Sequence, residues 1–331
     1  MKISVVCPFY NEQAIIGNAI KGMVAALEGL PHDWELIVVN DGSKDNSFDL
    51  ARQAAAGHPR VRVIGYGANR GRGYAIRHGI ECAAGEVVVT TEIDLSWGDD
   101  IVARLAAAFE AHPDADMVVA SPNLPGGGYR NVPAKRVIIS KLGNMIIRAG
   151  QSGDMTMYTG MTRAYRREAF LRLPIDEDEK EFHLEVAQKA QTFGFKIYEI
   201  PCVLEWKDHK LAVSGAPKRK SSSRIIKLMR THMAFAAVAA PFRYILPFSA
   251  VISLVSFFFM AAAVVNLFSD RPSAFLLITG LALFLIAFVL FGVGMLSYQG
   301  QLILRDIWRL RGELRAEVRR RNLDAPSSGA D

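Results

Sequence analysis

The chain has 331 residues, room for one large domain with an appendage or for two domains, and half of them are hydrophobic. Its formal charge is +6; three widely spaced cysteines without a C-x-x-C pair and seven histidines without H-x-x-x-H spacing indicate neither a zinc site nor a disulfide framework. The apolar residues are unevenly spread, since residues 1–215 read as soluble protein whereas Tyr244–Leu304 hold only two charged residues, Asp270 and Arg271.

In chain order, Ile3–Cys7 predicts a strand, the "FYNEQ" loop follows, and apolar periodicity from Ala14 to Leu27 predicts a helix. The start "MKISVVCPFYNE" enters this strand directly, so no cleaved leader is expected. Trp34–Asn40 predicts a second strand, "DGSKDNS" a turn, and Ser47–Ala56 a helix. Residues 61–66 predict a third strand and Gly71–Ala84 a helix; Glu86–Thr90 and residues 116–120 predict two more strands, with a helix over Asp99–Ala111 between them. Strands alternating with helices of this length imply βαβ units, so the predicted fold class is α/β, a doubly wound, mostly parallel sheet.

The stretch "TTEIDLSW" (Thr90–Trp97) follows the fourth strand and sets Glu92 and Asp94 two residues apart. Carboxylates at i and i+2 past a strand offer hard oxygen ligands to a divalent cation, Mg2+ or Mn2+, where open α/β sheets bind ligands. Neither G-x-x-x-x-G-K-[ST] nor G-x-G-x-x-G occurs; Gly65-x-Gly67 is followed by Arg70, which disfavours a nicotinamide enzyme. A nucleotide site without a glycine-rich phosphate loop needs carboxylates for base and ribose and a metal for the diphosphate. Asp41 and Glu12, past the second and first strands, fit the former, and Asp94 the latter. The alternative, that Asp41 caps a turn and Glu12 starts a helix, suits the same residue types.

"ISVVCPFYNEQ", "IVVNDGSKDNS", "NRGRGYAIRHGIECAAGEVVVTTEIDLS" and "GGGYRNVPAKRVIISKLGN" resemble the family 2 glycosyltransferases with a GT-A fold, above all the polyprenyl-phosphate glycosyltransferases. The resemblance spans roughly residues 3–206. It implies that Pro8, Tyr10, Glu12, Val39 and Asp41 hold the nucleoside, with Arg72 and Ile93 as further donor contacts. It implies Asp94 as central metal ligand beside Glu92 and Ser96, and Asp154 as the residue facing the acceptor. Acceptor or phosphate contacts are expected at Arg136, Ser140, Arg163 and Lys207. Ser96 stands where the family has glutamine and reaches less far, so either a water replacing that ligand or weaker metal binding is expected. Pro122 and Asn123 stand where it has a phosphate-clamping arginine, so either Arg130, Lys135 or Arg136 is expected to substitute or the substrate to differ.

Val132–Arg148 predicts a helix rich in positive charge, and the acidic run at 176–181 opens a helix that ends near Gly194, followed by a strand to Pro201. His183 and Glu185 are expected in surface or core roles. Residues 217–230, with six basic residues and no acid, predict an amphipathic helix on anionic headgroups. Spans near 244–268 and 273–298 each exceed the ~20 residues that cross a bilayer. Seven arginines between Leu304 and residue 321 follow, again in an amphipathic pattern, then the tail "DAPSSGAD", expected to be disordered.

The expected organisation is therefore a catalytic domain (1–215), a basic interfacial segment (216–243), a transmembrane hairpin (244–304) and a basic tail (305–331). Basic flanks on both sides of the hairpin place head and tail in the cytoplasm of an inner-membrane, multi-pass protein. The expected activity is metal-dependent, inverting transfer of a sugar from a UDP- or GDP-sugar to a polyprenyl phosphate. The alternatives are transfer to a lipid or glycan hydroxyl and a non-catalytic nucleotide-sugar binder. No nucleic-acid partner is expected, and a homo-oligomer is compatible with the sequence.

Overall fold

A computed structural model describes residues 1–150, 154–179, 181–206, 241–269 and 271–324. The interfacial helix expected at 217–230, Lys207 and the tail from 325 lie outside these residues. The soluble part contains β1 (Lys2–Phe9), α1 (Ile16–Glu28), β2 (Asp33–Asp41), α2 (Ser47–Ala55), β3 (Val61–Tyr66) and α3 (Arg72–Cys82). Then come β4 (Val87–Thr90), α4 (Ile101–Ala111), β5 (Met117–Ser121), β6 (Gly128–Arg130) and α5 (Ala134–Gly150). It closes with β7 (Arg163–Arg166), α6 (Arg167–Arg172), α7 (Phe182–Thr192), β8 (Ile197–Pro201) and β9 (Val203–Glu205).

Seven strands form one sheet in the order β3-β2-β1-β4-β7-β5-β8. The expected doubly wound α/β sheet is present. Valines and isoleucines on both faces of β1, β2, β4 and β5 are buried, as in a sheet covered on two sides. One strand departs from the parallel pattern: β7 runs antiparallel to both β4 and β5, pairing Arg163 with Thr90 and with Val119. Its sequence "RAYR" is four residues long with an arginine at each end, which hides it from any periodicity test. The short strands β6 and β9 pair in a separate two-stranded sheet.

Chain order reverses beside β1, with β2 on one side and β4 on the other, both parallel to it. This is the switch point where α/β sheets open a crevice beyond their carboxyl ends. The antiparallel entry of β7 brings residues 158–162 to that same edge.

At the opposite edge a buried network locks β1, β2 and α3. Glu35 accepts hydrogen bonds from the Ser4 hydroxyl (2.6 Å) and the Ala84 N–H (2.6 Å), and Arg62 lies 3.4 Å from its other oxygen. Burial alone would raise the Glu35 pKa, but these donors hold it below the ordinary carboxylate value.

Contacts divide the chain into two compact units: Met1–Arg148 with Gly153–Ser221 and Trp308–Asp331, and Ala149–Ser152 with Ser222–Ile307. The second contains α8 (Pro241–Phe268) and most of α9 (Ala274–Asp324). Both are long and apolar enough to cross a membrane, over Ile245–Phe268 and Ala274–Leu314. The Ser256 hydroxyl donates to the Gly280 carbonyl at 2.8 Å, and a Cβ on Gly280 would lie 2.7 Å from Met260 Cγ. Small residues at such a contact let two apolar helices pack closely. The expected second span ended near 298, whereas α9 continues unbroken for 51 residues. No proline lies between Ser273 and Asp324 to stop it.

Candidate functional site

The carboxyl ends of β1, β2 and β4 lie side by side, because Pro8 pairs with Val39, Phe9 with Asn40 and Val6 with Thr90. The loops beyond β1 and β2 are stitched together reciprocally. Asn11 N–H donates to the Ser43 hydroxyl (3.0 Å), Lys44 N–H to Asn11 Oδ1 (2.9 Å) and Glu12 N–H to the Ser47 hydroxyl (2.8 Å). The Glu12 carbonyl accepts from the Ile15 and Ile16 N–H groups in the turn just before α1, whose N-cap is Ile15. Pro8 and Tyr10 line the rim, with Tyr10 exposed. Val39 and Ile93 are buried with their side chains in the core, which leaves them only backbone atoms to offer a ligand.

Asp41 is buried at the end of β2. Its Oδ1 accepts from the Tyr66 hydroxyl (2.8 Å) and the Arg70 N–H (2.9 Å), and its Oδ2 from Asn69 Nδ2 (2.8 Å). The carboxylate thus fixes the β3–α3 loop. The Arg70 guanidinium lies 3.6 Å over the Tyr74 ring beside it. Arg72 follows at the first position of α3 and is exposed.

The acidic run 176–181 passes directly over that helix start. Gly71 has φ +98°, and a Cβ there would lie 2.4 Å from the Asp178 carbonyl. Tyr74 N–H donates to that carbonyl (3.1 Å), and Arg77 pairs with the Asp178 carboxylate at 2.5 Å. On the other side, Glu185 accepts from the N–H groups of Asp176 and Glu177 and pairs with buried Lys189 at 2.5 Å. Glu185 is therefore an anchor for this strap, in keeping with its expected core role.

Past β4 the chain turns through Thr90–Trp97. Leu95 adopts φ +53°, a strained conformation for a bulky residue, and its side chain rests against Gly22 of α1. Asp94 Oδ1 accepts from the Ser96 N–H (3.0 Å) and the Ser96 hydroxyl, while Oδ2 accepts no hydrogen bond among the described residues. Glu92 Oε2 accepts from Trp97 Nε1 (2.9 Å) and the Thr162 hydroxyl (2.8 Å), so the residue ties the turn to the start of β7. Burial raises its pKa, opposed by the charge of Arg72 and the Thr162 bond. Burial and then the charges of Glu92 and Asp94 push the Cys7 thiol up, since β1 passes beneath both.

Behind this turn, Arg163 is fully buried and donates to the carbonyls of His183 (3.0 Å) and Tyr158 (2.5 Å). Both of its terminal nitrogens thus donate inside the domain, at a residue where an acceptor or phosphate contact is expected from the resemblance. His183 is buried with no hydrogen-bond partner for either ring nitrogen among the described residues. Burial, Arg163 and Arg72 hold its pKa well below the ordinary value, so it is neutral.

The remaining expected acceptor residues are dispersed. Asp154 is fully exposed and pairs with Arg148 at 3.2 Å; it makes no bond to the 90–97 turn. Arg136 lies 4.2 Å over the Trp206 ring. The Ser140 carbonyl accepts from Asn144 Nδ2 at 2.8 Å. The segment after Asp154 is set by residues that the sequence alone did not single out. Glu199 accepts from the N–H groups of Thr156 (2.7 Å) and Met157 (2.9 Å), Asn144 Oδ1 from Tyr158 N–H (2.7 Å), and Asn123 Nδ2 donates to the Thr156 carbonyl (2.9 Å). Asn123 thus holds this segment in place, where the family resemblance implied a phosphate-clamping arginine.

No three His, Cys, Asp or Glu side chains among the described residues form a self-contained metal site. A carboxylate with one oxygen tied back and one unpaired, as in Asp94, instead fits a hard cation that completes its shell with diphosphate oxygens and water.

A doubly wound sheet with its carboxylates at the β1/β4 switch point and no glycine-rich phosphate loop defines a domain of the GT-A class. The fold agrees with glucosyl-3-phosphoglycerate synthase from Mycobacterium tuberculosis, solved with Mn2+, UDP-glucose and phosphoglyceric acid (TM-score 0.54, 19% identity, 72% of this chain and 79% of that one). The chain belongs to glycosyl transferase family 2, whose model matches residues 4–173. It is 31% identical over 229 residues (69% of this chain, 62% of the relative) to undecaprenyl-phosphate 4-deoxy-4-formamido-L-arabinose transferase of Pseudomonas fluorescens. It is 29% identical over 214 residues to glycosyltransferase AglD of Haloferax volcanii (62% of this chain, 33% of the relative). The chain spans between 47% and 62% of the length of the first three such arabinose transferases.

Proposed function

We propose that the protein is a membrane-anchored glycosyltransferase that moves a sugar from a nucleotide-diphosphate sugar, a UDP- or GDP-sugar, to a polyprenyl phosphate, with inversion at the anomeric carbon. The observation that carries this reading is the union, in one family 2 chain, of a carboxylate site at the sheet's switch point with two helices of membrane-crossing length. A water-soluble donor and a lipid-borne acceptor meet only where such a site is held at the headgroup level. The named activities of its polyprenyl-phosphate relatives support the acceptor class.

In this reading the reciprocal loop bonds at 10–13 and 40–47 shape the nucleoside pocket. Asp41 accepts from base or ribose while it braces the β3–α3 loop, and Glu12 does the same from the neighbouring strand end. Arg72, at the positive end of α3, faces the diphosphate. A divalent cation, Mg2+ or Mn2+, held by Asp94 with Ser96 and Glu92 close by, would neutralise the leaving diphosphate. An acceptor phosphate oxygen attacks the anomeric carbon, the bond to the donor diphosphate breaks, and the nucleoside diphosphate departs.

A phosphate has a second pKa near about 6, so it needs no strong base at neutral pH. Asp154, solvent-exposed and paired with Arg148, is assigned to orienting the acceptor phosphate and not to deprotonating it. Supplying polyprenyl phosphate or a glycolipid hydroxyl to the protein in vesicles, with the same donor panel, tests the reading. Label appearing only on the hydroxyl acceptor would replace it.

A further inference from the structure

We propose that the end of α9 is a clamp for the donor site, in which Trp308, Arg311 and Gly312 are positioning residues that hold the 176–179 strap on the first turn of α3. All three belong to the same compact unit as the sheet and the strap. Gly312 is buried, and a Cβ there would lie 2.7 Å from the Arg172 carbonyl oxygen and 3.2 Å from Phe193 Cε1. The backbone of α9 therefore rests on the ends of α6 and α7. One turn earlier, the Trp308 ring centroid lies 5.0 Å from the ammonium of buried Lys189, a favourable contact for a desolvated cation. Arg311 Nη1 lies 3.7 Å from the Asp176 carboxylate at the head of the strap.

These contacts lead on to the donor side. Lys189 pairs with Glu185 (2.5 Å) and Asp176 (3.4 Å), and Glu185 accepts from the Asp176 and Glu177 N–H groups. At the other end of the strap, the Asp178 carbonyl oxygen lies 2.4 Å from a Cβ built on Gly71 and 2.9 Å from one on Gly73. The strap thus touches bare backbone, and any shift of it moves the first turn of α3. That turn carries Arg72 and follows Arg70, whose N–H donates to Asp41. Residues 176–181 hold five acids and one lysine, which repel one another unless cations from outside the strap hold them. Arg77, Lys189 and Arg311 are those cations.

The clamp's effect on ligands rests on the reading of this crevice as a nucleotide-sugar site, and two readouts keep the two apart. In the full chain in detergent, amide hydrogen exchange of residues 174–182 and of the peptide holding Tyr74 reports the strap. Calorimetric titration with UDP or GDP in the presence of Mn2+ reports the site. Gly312→Leu favours the helix but leaves no room for its seat on Arg172. It should speed exchange in both segments and raise the Kd for nucleoside diphosphate about tenfold. Donor KM should rise in parallel with kcat unchanged. Trp308→Ala should act in the same direction, about threefold, while Trp308→Phe keeps a ring over Lys189 and should restore wild-type values. Arg311→Gln, at a half-exposed pair, should cost about twofold. Glu313→Gln, exposed on the same turn, should change neither readout.

Faster exchange with unchanged nucleotide affinity would overturn the link to the donor site and leave α9 as a brace. Unchanged exchange in both Gly312→Leu and Trp308→Ala would overturn the clamp itself while the nucleotide-sugar reading stands. Wild-type protein that binds neither UDP nor GDP, although its strap responds to Gly312→Leu, would refute the nucleotide-sugar reading and with it the role assigned to the clamp.

Discussion

Asp41 has two roles that a single substitution confounds and a swap separates. Its carboxylate braces the β3–α3 loop through Tyr66, Asn69 and Arg70, at 2.8, 2.8 and 2.9 Å. It is also proposed to accept a hydrogen bond from the nucleoside. In Asp41→Asn the new amide can keep its carbonyl towards Tyr66 and Arg70, but its NH2 then meets the Asn69 NH2. That loses one charge-assisted bond and opposes two donors, costing about 1.5–3 kcal/mol of stability. Loss of a charged partner for the donor should separately raise the KM for nucleotide sugar about 10–100-fold. In Asp41→Asn/Asn69→Asp the amide at 41 faces a carboxylate, so part of the stability returns, less the Asn69 bond to the Asp41 carbonyl (2.9 Å), which a carboxylate cannot make. Thermal unfolding and donor KM are to be measured on the wild type, the single and the double variant. The account predicts partly recovered stability with KM still raised. Recovery of both would show that Asp41 acts only as a loop brace and would refute its contact with the donor.

Three further outcomes are expected. Because the folded pKa of Glu35 is lowered, its stabilisation is present above its ordinary value of 4.5 and is lost as pH falls through the lowered folded value. Glu35→Gln should cost about 1.5–3 kcal/mol at pH 7, and the difference from wild type should narrow in acid melts; a gap independent of pH would contradict the network. Asp154→Asn should show a loss of rate that changes little from pH 6 to 9, whereas recovery at high pH would identify a general base and a hydroxyl acceptor. Labelling of cysteines at Ser269 and Ser328 in intact cells should report opposite sides of the membrane, and reaction of both from one side would exclude the hairpin.

Much of the sheet was legible because β1, β2, β4 and β5 are short β-branched runs buried on both faces and bounded by turn residues. β7 was not, since a four-residue strand with arginine at both ends has no period to detect. The acidic residues past β1, β2 and β4 were legible from type and position alone. Their partners were not, because Glu92 meets Thr162 and Asp41 meets Tyr66, Asn69 and Arg70 through contacts 25 to 70 residues away in sequence. Arg163 carried a charge that pointed to the surface, yet it is buried and donates to the carbonyls of Tyr158 and His183. The stretch past Leu304 was legible as amphipathic, but not as one continuous helix with the apolar span before it, because a change of composition is not a change of secondary structure.

The central claim is tested most directly by transfer itself. The protein in phosphatidylglycerol vesicles is given polyprenyl phosphate, Mg2+ or Mn2+, and a panel of labelled UDP- and GDP-sugars, beside Asp94→Asn and a chelator-treated sample. The account predicts label in the lipid phase from at least one donor, abolished by Asp94→Asn and by the chelator while folding and membrane insertion persist. Full transfer by Asp94→Asn or in chelator would contradict the metal assignment, and no transfer from any donor would contradict the enzyme.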